Sequence, residues 1–321
     1  MNGLRLTIVV IRNPFVVSPN VFPVNRQLAK QTIMRLLFLH IPKAGGTTFH
    51  AVLENLHPNK NGICSITPRF SIQDFINLPK AKREEIDLLK GHFEFGMHQY
   101  FEGGDFQYIT LFRKPVERVI SHYYYVLRTP QHYLYQKVAK TNMSLLDYAT
   151  SDLTTELDNG QLRLLTGSED PAITCTPELL EKAKENLRKY FVSFGIVEEF
   201  DKSLILFKNK MGWEDFPVYK KLNVTKKKPQ EIPQEVRAAI EERNRFDMEL
   251  YAWAREEFAK SCSTVPAIEE EVKILKYANK AFAEGYMEGL EDGKKALFKK
   301  YNLFGIGSKL SGALRKVSGA F

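Results

Sequence analysis

The stretch 36–49, L-L-F-L-H-I-P-K-A-G-G-T-T-F, constrains the fold more than any other part of the chain. A short apolar run of strand length ends in a glycine turn, and a helical pattern follows over 47–56. Strand, turn and helix in that order open an α/β sheet. Glycines let backbone N–H groups approach an anion closely, and a helix N-terminus adds a favourable dipole. Lys43 supplies a point charge, Ala44, Gly45 and Gly46 supply backbone N–H groups, and Thr47 and Thr48 supply hydroxyls. The lysine precedes the glycines, so this is not the triphosphate loop G-x-x-x-x-G-K-[ST].

Further strands are expected at 108–112 and 191–197, each followed by a helix: 116–127 after the first, and one carrying Leu204, Leu206 and Phe207 after the second. A single long helix over 235–258 would bury Val236, Ile240, Phe246, Leu250 and Trp253. Strands alternating with helices predict an α/β fold: a P-loop-like parallel sheet flanked by helices, with ligands at the carboxyl ends of the strands. Three segments follow. Residues 1–33 are irregular, broken by Pro14, Pro19 and Pro23, and translation starting at Met34 would omit them. Residues 34–265 form the α/β domain, and 266–321 form a helical, basic and amphipathic C-terminal extension.

The net charge of +8 is concentrated at the end of the chain. Seven basic residues and no acidic ones lie from Lys294 onward, which leaves the rest close to neutral and gives no surface for nucleic acid. Interspersed Leu297, Phe298, Leu303, Phe304, Ile306 and Leu310 give this tail the pattern of a segment lying on an anionic membrane, a peripheral contact that liposome flotation with and without 293–321 tests. The three cysteines are scattered without C-x-x-C spacing, and no apolar run reaches the roughly 20 residues of a membrane span. The expectation is a cytoplasmic enzyme in a reducing compartment.

A second anion-binding pattern lies at 112–124, F-R-K-P-V-E-R-V-I-S-H-Y-Y. Arg113 leaves a strand end, and Arg118 and Ser121, three residues apart on the next helix, are expected to share a face and point at one ligand with it. The loop I-P-K-A-G-G-T-T-F resembles the 5′-phosphosulfate loop of carbohydrate sulfotransferases, and 112–124 resembles their 3′-phosphate site, including the arginine-to-serine step from Arg113 to Ser121. The run from Arg113 to Arg128 is most similar to the heparan sulfate 2-O branch. Weaker echoes follow in N-G-Q-L-R-L-L-T-G (159–167), 194–204 and K-L-N-V-T (221–225).

The resemblance implies 3′-phosphoadenosine 5′-phosphosulfate as donor and transfer of its sulfuryl group to a hydroxyl, with a glycan as the expected acceptor. Lys43 and the loop N–H groups would hold the 5′ phosphate and the leaving charge, while Arg113, Ser121 and, less necessarily, Arg118 would hold the 3′ phosphate. A base is needed, and L-K-G-H-F-E-F-G-M-H (89–98) offers two histidines. His92 matches the catalytic histidine of the 2-O branch, and His98 sits where the 6-O branch carries one; Glu94 is a fallback. His40, ending the first strand, is expected to be structural or to support the site from behind the residues that touch ligand. The seven histidines show no H-x-x-x-H pattern, so no metal is expected. The basic loop 220–228 is a further candidate for acceptor or nucleotide contact. Two rival readings are an atypical small-molecule kinase and a catalytically inactive nucleotide-binding or membrane-adaptor protein that retains the fold.

Overall fold

The computed structural model describes residues 34–168, 170–220 and 231–283, so the N-terminal segment, the stretch 221–228 and the amphipathic tail lie outside the described residues. From the start of this region, β1 (Arg35–Leu39) leads into α1 (Gly46–Leu56), β2 (Ile63–Ile66), α2 (Ile72–Ile76), α3 (Lys80–Glu84) and β3 (Leu88–Gly91). Then come β4 (Phe106–Phe112), α4 (Pro115–Arg128), α5 (Tyr135–Val138), α6 (Leu145–Thr150), α7 (Gly160–Thr166) and α8 (Pro177–Tyr190). The described region closes with β5 (Phe191–Ile196), α9 (Phe200–Met211), α10 (Gln234–Arg243), α11 (Arg245–Ser263) and α12 (Ile268–Ala283).

The five strands form one parallel sheet in the order β2-β3-β1-β4-β5. Every residue of β1 is buried, as a central strand covered on both faces requires, and this is why its sequence reads as an unbroken apolar run. The expected strands and helices around 36–56, 108–127 and 191–207 are all present. Two further strands, β2 and β3, lie outside the expected set. Both are only four residues long, and β3 carries a lysine, Lys90, that is 3% exposed.

The expected single helix over 235–258 is instead two helices that meet at Asn244. The Asn244 amide donates to the carbonyls of Leu157 and Ile240, both at 3.0 Å, and its oxygen accepts from the Asn159 N–H at 3.1 Å. The break sends the two halves into different cores. Val236 and Ile240 join a smaller core built by α4, α5, α6 and α10, whereas Phe246 and Leu250 join the main core against the sheet.

Part of the C-terminal extension packs on this main core. Ile268, Val272, Ile274, Leu275 and Ala278 of α12 are buried in it, and Lys208 and Lys202 of α9 pair with Glu271 at 3.0 Å and Glu269 at 2.6 Å. Among the described residues no helix is long and apolar enough to cross a membrane.

Candidate active site

Three loops meet where the middle strands end. β1 pairs with β3 on one side and β4 on the other, so the loops that begin at His40, His92 and Arg113 leave the sheet side by side. The His40 N–H donates to the Gly91 carbonyl at 2.9 Å, which carries the pairing one residue beyond the strands. Topology therefore gathers residues that lie more than 70 positions apart in the sequence.

The first loop is shaped to receive an anion. Lys43 (φ 66°) and Gly45 (φ 74°) both adopt left-handed backbone, which folds the turn tightly before α1. The first main-chain bond of the helix runs from the Phe49 N–H to the Gly45 carbonyl at 3.2 Å, so the N–H groups of 46–48 have no acceptor within it. No side chain caps this end and no acidic residue lies in the first turn, in contrast to the serine-capped α2 and α6. Thr47 is exposed and Thr48 half-buried, so both hydroxyls stay available beside these N–H groups. Gly46 is demanded by its neighbour: a Cβ there would lie 1.7 Å from His40 Nε2.

Lys43 places its ammonium over the Tyr125 ring, 3.6 Å from the centroid. Burial lowers its pKa to about 8, with Arg128 and Arg113 adding to the effect and Glu156 opposing it. Two like charges and one opposite charge thus act on Lys43, an imbalance that an anionic ligand would relieve. Arg113 reaches back into the same loop, its guanidinium donating to the Lys43 carbonyl at 2.8 Å. The peptide of Arg113 is clamped on both sides by the Gln161 amide, at 3.1 and 3.0 Å.

His92 donates from Nδ1 to the His40 carbonyl at 3.1 Å, and its ring stacks on that of His40 with centroids 4.2 Å apart. A carbonyl oxygen can only accept, so the proton of the neutral ring is on Nδ1 and the lone pair on Nε2. Its side chain is open to solvent yet crowded by protein, the situation of a group in a recess. Burial lowers its pKa, Lys43 adds to this, and Glu156 and the His40 carbonyl oppose it. The imidazole is therefore neutral near pH 7 and able to take a proton.

Arg118 and Ser121 do not present one ligand-facing surface. Ser121 remains partly exposed, but Arg118 is fully buried, with its guanidinium donating to the Glu156 carbonyl and lying 3.8 Å from the Asp247 carboxylate. Asp247 in turn accepts from the N–H groups of Gln161 and Leu162 at 3.1 and 2.8 Å, capping α7 from a remote part of the chain. Arg118 thus holds α4, α7 and α11 together.

His98 is likewise not brought to the recess. After β3 the chain runs back along the sheet, so His98 stacks between Phe106 and Tyr190 at 4.4 and 5.3 Å, with Nδ1 3.0 Å from the Tyr108 hydroxyl. Phe106 begins β4 and Arg113 follows its last residue, which puts the two ends roughly 20 Å apart. Six residues from His92 in sequence, His98 belongs to the opposite edge.

The structure adds residues that sequence reasoning passed over. Glu156 acts electrostatically on Lys43, His92 and His132, and its Oε2 lies 3.4 Å from His122 Nε2. Tyr125 and Gln161 support Lys43 and Arg113. Gln161 and Tyr125 lie within the stretches 159–167 and 113–128 that carry the resemblance, whereas Glu156 carries no local signal. Among the described residues no group of three or more His, Cys, Asp or Glu is arranged to hold a metal ion.

Comparison with known proteins gives no matching family model. Curated relatives do match. The human heparan-sulfate 6-O-sulfotransferase 3 is 26% identical over 70% of this chain and 57% of its own length, and the human heparan-sulfate 6-O-sulfotransferase 2 is 27% identical over 70% and 44%. The human uronyl 2-sulfotransferase is 26% identical over 71% and 59%. The chain spans about half the length of the curated relatives it matches, and these identities single out neither the 6-O enzymes nor the uronyl 2-sulfotransferase. With its parallel sheet and its lysine-glycine loop at the end of β1, the chain is a relative of the carbohydrate sulfotransferases.

Proposed function

We propose that the chain is a sulfotransferase that uses 3′-phosphoadenosine 5′-phosphosulfate and acts on a hydroxyl of a carbohydrate or related acceptor. The observation that carries this reading is the meeting of Lys43, Arg113 and His92 at neighbouring strand ends, with His92 held in the tautomer of a base. The donor, when bound, supplies an activated sulfuryl group whose departure leaves negative charge on a phosphate oxygen. The loop fits such a group: its N–H donors are uncapped, no acidic residue lies in the first turn that follows, and its lysine is short of counter-charge.

Lys43 and the N–H groups of 46–48 hold the 5′ phosphate and stabilise the charge that grows on it. Arg113 and Ser121 hold the 3′ phosphate, a planar guanidinium fork being well matched to phosphate oxygens. His92 Nε2 takes the proton of the acceptor hydroxyl as its oxygen bonds to sulfur, and Nδ1 stays on the His40 carbonyl to steady the imidazolium. A glycan acceptor is supported by the names of the relatives, which act on heparan sulfate or a uronyl group.

Calorimetry with 3′-phosphoadenosine 5′-phosphate and with ATP tests the donor site, with binding expected for the first and at least tenfold weaker for the second. Equal affinity would remove the sulfotransferase reading in favour of a kinase-like one. A radiosulfate transfer assay across a polysaccharide extract, with His92→Ala as control, tests the chemistry. Nucleotide binding without any transfer would instead indicate an inactive binding protein.

A further inference from the structure

A chain of polar side chains crosses the sheet behind the donor loop and is used by none of the steps above. Lys90, buried in β3, donates to the Glu54 carboxylate of α1 at 2.6 Å and lies 3.2 Å from His50 Nδ1. His50 Nε2 lies 3.0 Å from His40 Nδ1. The two rings meet edge to face, with centroids 4.9 Å apart, and His40 is packed between Phe38 and His92.

The direction of every bond in this chain follows from its first member. An ammonium has donors and no lone pair, so His50 Nδ1 must accept. A neutral His50 then carries its proton on Nε2 and donates it to His40 Nδ1. A neutral His40 is left with its proton on Nε2, the atom beside Gly46 at the start of α1. Burial keeps both imidazoles neutral, pushing the pKa of His50 down to about 3 and that of His40 well below the ordinary value, with neighbouring histidines and Lys90 adding to the effect. His40 Nε2 has no hydrogen bond to any described residue.

We propose that Lys90 and His50 lock His40 in the tautomer protonated on Nε2, making His40 an N–H donor to the anionic group held by the loop. His40 is then a binding residue, and Lys90 and His50 are positioning residues that act through it. The same geometry explains why Gly46 admits no side chain: a Cβ would occupy the place of the ring that delivers this donor. It also accounts for a buried lysine in a four-residue strand, where an apolar residue would serve packing alone. The identity of the anion rests on the function proposed above; the tautomer lock does not.

The test is imidazole nitrogen NMR on the full chain, with the His40 signal assigned by its loss in His40→Gln. In the free protein between pH 6 and 8, His40 is expected to be protonated on Nε2 and unprotonated on Nδ1. In Lys90→Met, His50 and His40 should lose this single tautomer, while Lys90→Arg, which retains a donor, should keep it. Addition of 3′-phosphoadenosine 5′-phosphate should shift the His40 Nε2–H signal, and Lys90→Met should bind that nucleotide about tenfold more weakly. A proton on Nδ1 of His40 in the unmodified protein overturns the proposal without any variant having to fold. So does nucleotide binding that leaves the His40 signal in place. The expected tautomer with no nucleotide binding at all supports the lock and removes the donor reading instead.

Discussion

His92 and His40 are joined twice, by a hydrogen bond from His92 Nδ1 to the His40 carbonyl at 3.1 Å and by stacking of the rings at 4.2 Å. The bond aims Nε2 of His92 into the recess, and the stack allows only one of the two rings to carry charge at low cost. His40 is the ring that stays neutral, because it is the more deeply buried and is flanked by His92, His50 and nearby lysines. His92 is left free to cycle between imidazole and imidazolium.

Removing His92 should therefore abolish chemistry and spare binding. His92→Ala is expected to lower turnover by about 10²–10⁴-fold, the usual contribution of a general base, with nucleotide affinity within about twofold of the parent. Single-turnover sulfate transfer and calorimetry measure the two quantities. A variant that retains turnover would assign the proton transfer elsewhere.

The pH profile carries a sign that can be checked. His92 must be neutral to accept a proton, and burial places its pKa below 6.5, so kcat/KM should rise with pH on an acid limb centred below 6.5. Lys43 must be charged to hold an anion, and its pKa of about 8 in the free protein should turn the profile down near that pH. A bound phosphate favours the ammonium, so the basic limb of kcat should lie at higher pH than that of kcat/KM. A basic limb at the same position in both profiles would speak against Lys43 as the anion partner.

Lys43→Ala should cost turnover far more than fold. A loss of roughly 10²–10³ in kcat is expected for removing a donor to the developing charge. Thermal unfolding should change by less than about 1 kcal/mol, since the lysine is held in a desolvated position with little pairing. A large loss of stability with normal turnover in the remaining folded protein would reverse that assignment.

Gly46→Ala should be among the most damaging changes of a single methyl group. The new Cβ would meet His40 Nε2 at 1.7 Å, and overpacking of this kind costs about 3 kcal/mol. Adding His40→Ala should recover part of that loss, so the two changes together should cost less than their sum in a denaturation cycle. Simple additivity would show that the ring is not what excludes the side chain.

Arg118 and His98 should behave as structural residues. Arg118→Leu strands the buried Asp247 carboxylate and is expected to cost about 3–5 kcal/mol, with the nucleotide affinity of folded protein unchanged. His98→Phe should retain both turnover and the acid limb of the pH profile, because the aromatic stack with Phe106 and Tyr190 is preserved. Loss of that limb in His98→Phe would restore His98 as a base.

Much of the candidate site was legible because its signals are local. A buried apolar run, two glycines and the first turn of a helix follow one another within 14 residues, and each is dictated by backbone sterics and main-chain hydrogen bonding. Arg113 and His92 were legible as residue types, and His92 also through its glycine neighbour. The strand β3 beside it was not, because four residues that include a lysine carry no periodicity.

Tertiary structure decided the rest. Arg118 and Ser121 are three residues apart on one helix, yet only the packing of α7 and α11 determines that the arginine is fully buried beside Asp247. His92 and His98 are nearly adjacent, yet the return of the chain along the sheet separates them by the length of a strand. Asn244 reads as an ordinary helix residue until Leu157 and Asn159 arrive from more than 80 positions away to bond with it. The lysine-glycine turn and the alternating α/β order depend on near neighbours along the chain and were therefore readable from it. Which titratable groups face the recess, and in which tautomer, was decided only when parallel pairing set distant strand ends side by side.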